Sequence, residues 1–205
     1  MSDNTQTLRD QQAQRSREHI VETALRLFAE HGYHGVSTRK IAQAAGITEG
    51  LIFHYFSTKA DLLTAVLETR HSFLGDLRAL LEAARGQSVT EVLPQLASGW
   101  LATLYRERAI TTVMLGTAQT DTAVNEVLQA AIEEGTSRLA AYLETRIATG
   151  ELRPDLPARH SALMLYSSLI VFFISHRHLS AEDWHAEAAQ FVPIVVELML
   201  RGAYC

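Results

Sequence analysis

Cysteine is all but missing. The one thiol, Cys205, is the last residue, so no disulfide forms within the chain and packing must supply its stability. That suits a reducing compartment. Proline occurs four times and glycine eleven times in 205 residues. Almost no segment alternates apolar with polar residues, which argues against strands and for helices. The longest apolar run, Ala162 to Ile174, contains two serines and is shorter than the roughly 20 residues a bilayer requires. The opening stretch, MSDNTQTLRDQQAQ, is polar and has no segment of the signal-peptide kind. A cytoplasmic location is the expectation.

Catalytic signatures are missing as well. There is no nucleophile elbow, phosphate loop or paired acid and base, and the nine histidines are scattered. No His, Cys, Asp and Glu cluster stands at ligand spacing, so neither a metal nor a cofactor is expected. His176 and His178 are two apart and point to different faces of a helix. An enzyme finds no support in these residues.

What is present begins with charge placement. The net charge of −5 lies wholly beyond Arg70: up to that residue eight Lys/Arg balance eight Asp/Glu, and beyond it ten face fifteen. Between residues 37 and 60, Arg39, Lys40 and Lys59 outnumber Glu49, and both lysines of the chain fall there. This local excess is the kind that meets nucleic acid, although it is modest.

The same window carries the most informative pattern, TRKIAQAAGITEGLIFHYFSTK. Ala42 precedes Gly46 by four residues, Ile47 follows it, and Ile52 comes six later. A small residue lets two helices approach, glycine accepts a positive φ at the turn, and isoleucine anchors the second helix. These are the parts of a helix-turn-helix, which places its second helix in the major groove of DNA. Upstream, Ile20, Ala24, Leu27 and Phe28 line one face of a first helix from about Arg15 to His31, ended by Gly32. Ser37 or Thr38 can cap the second helix and Thr48 the third, and Thr58-Lys-Ala-Asp61 has the form of a capping box that opens a fourth.

Beyond residue 70 the pattern stays helical. Ser88-Val-Thr-Glu91 and Ser180-Ala-Glu-Asp183 read as further capping boxes. Pro94 should kink or delay a helix carrying Leu93, Leu96, Trp100 and Leu104. A segment near 107 to 118 is a further helix candidate. A long helix from about Asp121 to Ala148 closes at Gly150, an apolar helix spans 158 to 177, and a last one runs to about Arg201. Glu133-Glu134 reads as solvated surface. Nine helices are expected in an all-α chain: a three-helix head with the helix-turn-helix and a body of about six. The parts are a mobile arm (1–14), a DNA-binding domain (15–66) and an effector-binding and dimerisation domain (67–205).

Residues 17 to 67 resemble the DNA-binding domain of the TetR (tetracycline repressor) family of bacterial transcriptional regulators. The pieces that carry the likeness are AEHGYHGVST, RKIAQAAGI and TEGLIFHYFSTKADLL. The resemblance implies a sequence-specific regulator, most simply a dimeric repressor released from a palindromic operator by a small apolar or aromatic effector. It further implies that Thr38 binds a phosphate, that Arg39 reaches a guanine or a phosphate, and that Thr48, Glu49 and Gly50 open the recognition helix. Gly50 admits the DNA backbone, Glu49 accepts from a cytosine amino group, His54 and Tyr55 face phosphates or base edges, and Lys59 meets a phosphate. At Phe53 the family usually has tyrosine, so packing or a thymine-methyl contact replaces a phosphate hydrogen bond. Both threonines serve equally as caps, and Phe53 equally as core.

The last two long helices are implied to pair with those of a second subunit as a four-helix bundle. Trp184, Phe191, Val195 and Leu198 in the last helix, and Leu169, Phe172 and Phe173 in the one before, supply the candidate seam. Trp100, Tyr105, Met114, Tyr142, Tyr166 and His176 are candidates for an effector pocket, though a core stripe explains them too. A ligand-independent dimer whose body is a scaffold or a protein-partner surface is the alternative.

Overall fold

In the computed structural model, residues 2–70, 80–84 and 86–201 are described, and Cys205 lies outside them. Nine helices are bounded within those residues: α1 (Ser2–His31), α2 (Thr38–Ala45), α3 (Glu49–Tyr55), α4 (Lys59–Arg70), α5 (Val89–Arg106), α6 (Arg108–Thr117), α7 (Thr122–Ala148), α8 (Ala158–His176) and α9 (Ala181–Arg201). No strand occurs among the described residues. The chain forms two compact units. One comprises residues 1–70 with 109–128, and the other residues 71–108 with 129–205.

The first unit is built on Ile20, Ala24, Phe28, Ile41, Ile52, Leu62 and Val66, all buried on the inner faces of α1 to α4. Fully burying side chains of this size contributes about 1.5–3 kcal/mol each. α1 packs on α2 and α4, and α2 packs on α3. Four further members of this core come from far along the chain: Ile110, Met114, Ala118 and Val124, on α6 and the start of α7. The expected boundary at residue 67 therefore gives way to a discontinuous unit. Met114, expected in an effector pocket, is buried in the core of the first unit instead, because it shares an apolar stripe with Ile110 and Ala118.

The expected arm, residues 1–14, has helical backbone from Ser2. Residues 2 to 14 are the first turns of α1. They carry no apolar stripe to announce a helix, yet neither glycine nor proline interrupts the chain before Gly32, so the hydrogen-bonded ladder continues outward.

In the second unit, α5 packs on α8 and α9, and α8 on α9. Leu93, Leu101, Leu139, Leu143, Leu169, Phe173 and Trp184 form its interior. Pro94 lies inside α5, whose start is not delayed. The Ser88 cap differs from the expected box. Ser88 Oγ accepts from Thr90 N, and the carboxylate that completes the cap is Glu151, not Glu91: it takes the Ser88 hydroxyl at 2.6 Å and Val89 N at 2.9 Å. α7 is followed by Gly150, whose φ is +78°. α8 is long and apolar enough, by length and composition, to cross a membrane, but 44% of that stretch is buried within the protein.

Candidate nucleic-acid interface

The turn between α2 and α3 is closed by two backbone bonds. Gly46, at φ +67°, donates to Gln43 O at 3.3 Å, and Ile47 donates to Ala42 O at 3.0 Å. This paired closure is a Schellman motif, and it needs a residue free to adopt a left-handed conformation. Ile47 then packs against the core, and Ile52 is buried at 1% exposure. α3 is thereby pinned along one side and left open along the other.

The open side of α3 carries Gly50, Phe53 and His54, all exposed, with Phe53 at 50%. A Cβ built on Gly50 meets no atom within 4 Å. Nothing among the described residues requires glycine there. Tyr55 is half-buried, its ring 5.0 Å from that of His54. A helix with its side chains is about 10–12 Å across, close to the width of the B-DNA major groove.

Caps fix the ends. Ser37, not Thr38, caps α2, its hydroxyl accepting from Lys40 N at 3.1 Å. Thr38 instead donates its hydroxyl to Glu49 Oε1 at 2.5 Å. Thr48 stands at the N-cap position of α3 but makes no side-chain cap bond there. The Thr58 and Asp61 box is complete: Thr58 N donates to Asp61 Oδ2 at 2.8 Å and Asp61 N to Thr58 Oγ1 at 3.0 Å.

Lys59 is more constrained than its sequence position suggests. Its ammonium donates to Tyr33 O at 2.6 Å and lies 3.9 Å from the centre of the Tyr33 ring. Burial lowers its pKa, and the nearby Asp121 carboxylate works the other way. Burial, Asp121 and Asp61 together push the Tyr33 phenol up to about 12. Asp121 also caps α7, accepting from Val124 N at 3.2 Å. No pattern in the sequence marked Asp121, because it acts through space from a distant segment.

Arg39 and Lys40 are exposed, and neither side chain has a hydrogen-bond or ion-pair partner among the described residues. The five arginine–carboxylate pairs among the described residues all lie between 106 and 201, as in Arg138–Glu134 and Arg159–Glu133. Arg39 and Lys40 thus stand free, while arginines of the other unit are paired with carboxylates. Lys40 contributed to the local charge excess in the sequence, but its spacing gave it no role. His34, exposed beside Tyr33, had no signal at all.

The remaining candidates lie in the second unit. Trp100 and Tyr166 meet edge to face at 4.4 Å. Tyr105 donates to Leu179 O and stacks on Trp184 at 4.8 Å, Trp184 meets Phe172 at 5.2 Å, and Phe172 stacks on His176 at 4.3 Å. Tyr142 donates to Gln87 O at 3.4 Å. These candidates are thus engaged in ring and hydrogen-bond contacts of the second unit. Of the expected dimer seam, Leu169, Phe173 and Trp184 are turned inward because α5 packs over that side of α8 and α9. Phe172, Phe191, Val195 and Leu198 instead line an open groove of about 980 Å³ with Met164, Val171 and Ile194. Val171, Ile194 and Leu198 are 57–66% exposed.

Comparison with known proteins agrees with this geometry. Residues 20–66 match the family model described as bacterial regulatory proteins, tetR family. The chain is 29% identical over 199 residues to the HTH-type transcriptional regulator AcrR of Shigella flexneri, covering 93% of this chain and 92% of that one. It is 26% identical over 206 residues to the HTH-type transcriptional repressor NicS of Pseudomonas putida, covering 95% of each. Its fold is similar to the crystal structure of the transcriptional regulator FadR from Bacillus subtilis in complex with stearoyl-CoA: TM-score 0.72, 21% identity, 89% of this chain and 96% of that one.

Proposed function

Since the chain belongs to the TetR family of bacterial regulatory proteins, we propose that it is a dimeric repressor that reads a palindromic operator and is released by a small-molecule effector. The observation that carries DNA binding is the exposed face of α3 on a rigid turn, flanked by cations left unpaired in an otherwise acidic chain. α3 enters the major groove with Gly50 at the closest approach, and Phe53, His54 and Tyr55 beside base edges or phosphates. Thr48, whose hydroxyl caps nothing, and Arg39 lie at the ends of the two helices, where phosphates pass.

Dimerisation is supported by the apolar stripes of α8 and α9. Val171, Ile194 and Leu198 are too large an exposed set for a surface that stays in water, and a two-fold copy of the same stripes would cover them. Two heads on that axis read successive half-sites about 34–36 Å apart.

The effector reading draws on FadR, whose structure holds stearoyl-CoA. In this chain an apolar or aromatic molecule would sit near Trp100 and Tyr166. The alternative, a body that is only a scaffold, has one observation in its favour: the hydroxyls of Tyr105 and Tyr142 are spent on backbone carbonyls, as packing requires. Catalysis is not part of the proposal, and no cluster fit to hold a metal occurs among the described residues. The cytoplasm, where DNA and effector meet, is the proposed location.

Selection of random duplex DNA by the purified chain at about 0.15 M salt tests the reading. An enriched inverted repeat is the expected result, and retention without any motif would refute sequence reading. A thermal-shift screen then separates effector from scaffold, because a ligand at 100 times its dissociation constant adds about 2.7 kcal/mol.

A further inference from the structure

Two side chains of α1 reach the segment that carries the exposed helix. His19 Nε2 lies 3.2 Å from Ala45 O, on the last residue of α2. A carbonyl oxygen only accepts, so Nε2 carries the proton and donates. Arg17, two residues earlier, holds its guanidinium 5.3 Å from the centre of the Phe56 ring, on the residue that ends α3. Ala45 and Phe56 bracket residues 46 to 55, the turn and the whole of α3. We propose that Arg17 and His19 are positioning residues, a clamp from α1 that sets where the recognition helix stands on the head. This rests on the DNA-binding reading above and assigns two residues that neither the helix-turn-helix spacing nor the family resemblance marked.

α3 has seven residues, too few to persist as a helix by itself, so tertiary contacts must place it. Ile47 and Ile52 grip it along one side. The clamp restrains its two ends. At the entry, Gly46 and Ile47 donate to the Gln43 and Ala42 carbonyls, and Ala45 O is left for a donor from outside α2. α2 has no basic residue in its own last turn, and His19 supplies the donor from α1. At the exit, Phe56 is buried at 4% exposure, and the Arg17 cation stands within the roughly 6 Å over which a ring face attracts it. The Arg17 guanidinium has no hydrogen-bond or ion-pair partner among the described residues, which leaves the ring as the group that orients its charge. Residues two apart on a helix point to different sides. Arg17 and His19 can therefore hold two separate points of the reading segment, as a single apolar stripe cannot.

Both side chains stand outside the buried stripe of Ile20, Ala24 and Phe28: His19 is exposed and Arg17 half-buried. Each can be replaced without emptying the core. A clamp acts on the placement of α3, and so on which sequence it fits, whereas a phosphate contact acts on every duplex alike.

The experiment measures fluorescence anisotropy of the selected operator and a scrambled duplex across a salt series, with amide hydrogen exchange of residues 46 to 55 on the free proteins. The proteins are wild type, His19→Gln, His19→Leu, Arg17→Lys and Arg17→Met, and thermal unfolding verifies the fold of each. Glutamine keeps an N–H to donate and lysine keeps the cation, while leucine and methionine keep only apolar bulk. His19→Leu and Arg17→Met are each expected to weaken operator binding about three- to tenfold, the range that loss of one such contact allows. Scrambled duplex should change by less than about twofold, with the salt slope held. Exchange of residues 46 to 55 should quicken in both variants, and His19→Gln and Arg17→Lys should recover most of each loss. Equal loss on both duplexes with a flatter salt slope overturns the clamp, because the residue would then be meeting phosphate. Operator preference and exchange that stay as in wild type also overturn it, and leave the regulator reading standing. A wild type that binds neither duplex overturns the regulator reading, and the clamp with it.

Discussion

The hydroxyl of Thr38 and the carboxylate of Glu49 meet at 2.5 Å, tying the first residue of α2 to the first residue of α3. A threonine hydroxyl has one proton to give. While Glu49 holds it, Thr38 can offer a phosphate only its backbone N–H. The Glu49 carboxylate is in turn oriented by its neighbour.

Replacing Glu49 therefore separates two effects. Glu49→Ala frees the Thr38 proton and removes a negative charge, so affinity for scrambled duplex should rise. Discrimination at one operator position should fall by about 1–3 kcal/mol if Glu49 accepts from cytosine. Competition binding against single-base operator variants measures both. Unchanged discrimination at every position would leave Glu49 a purely structural partner of Thr38.

Two glycines give opposite results with alanine. Gly50→Ala adds a Cβ into open space within a helix, so stability should hold or rise, by up to about 1 kcal/mol, while operator binding weakens. Gly35→Ala puts a Cβ 2.3 Å from the His31 carbonyl oxygen, which must move. A loss of about 1–3 kcal/mol of stability is expected. Denaturant melts and anisotropy on the same preparations compare them.

Alkaline stability should report on Tyr33. Its phenol is pushed from 10.0 to about 12, so the folded chain holds that proton more tightly than the unfolded chain. The associated stabilisation is whole below pH 10 and is lost as the pH climbs toward about 12. Tyr33→Phe, which has no proton to lose, should show a shallower decline across that window. Tyrosinate absorbance during the titration should lose part of its late-rising amplitude in the variant.

The α8–α9 groove should divide association from folding. Leu198→Glu places a charge on a side chain that is 66% exposed in the subunit, so the fold should persist while the dimer dissociates. Trp184→Ala empties a site 1% exposed and should cost about 3–5 kcal/mol of subunit stability. Sedimentation velocity and thermal melts distinguish the two. A Leu198→Glu chain that remains dimeric would move the interface elsewhere.

The local machinery of the head was legible because its signals are short-range. Ala42, Gly46, Ile47 and Ile52 stand within a few turns of one another, and the Thr58 and Asp61 box is closed by residues three apart. Partners brought from far along the chain were not. Periodicity shows that Met114 and Trp184 lie on apolar stripes but not what those stripes face. The first proves to be head core and the second the interior of the other unit. Glu151 capping Ser88 and Val89, and Asp121 acting on Lys59 and Tyr33, connect segments roughly sixty residues apart or more, beyond any local pattern. Nor did composition separate an apolar face covered within the subunit, such as Leu169 and Phe173, from one left open, such as Val171 and Leu198.

The discontinuity of the first unit limits how this regulator can be recombined. Ile110, Met114, Ala118 and Val124 complete a core otherwise made by residues 20 to 66. A graft that cuts after Arg70 and joins the DNA reader to a foreign sensor would leave that core open to water. Interchangeable parts must follow the seams of packing, and here the transferable module is two strings of residues, 1–70 and 109–128.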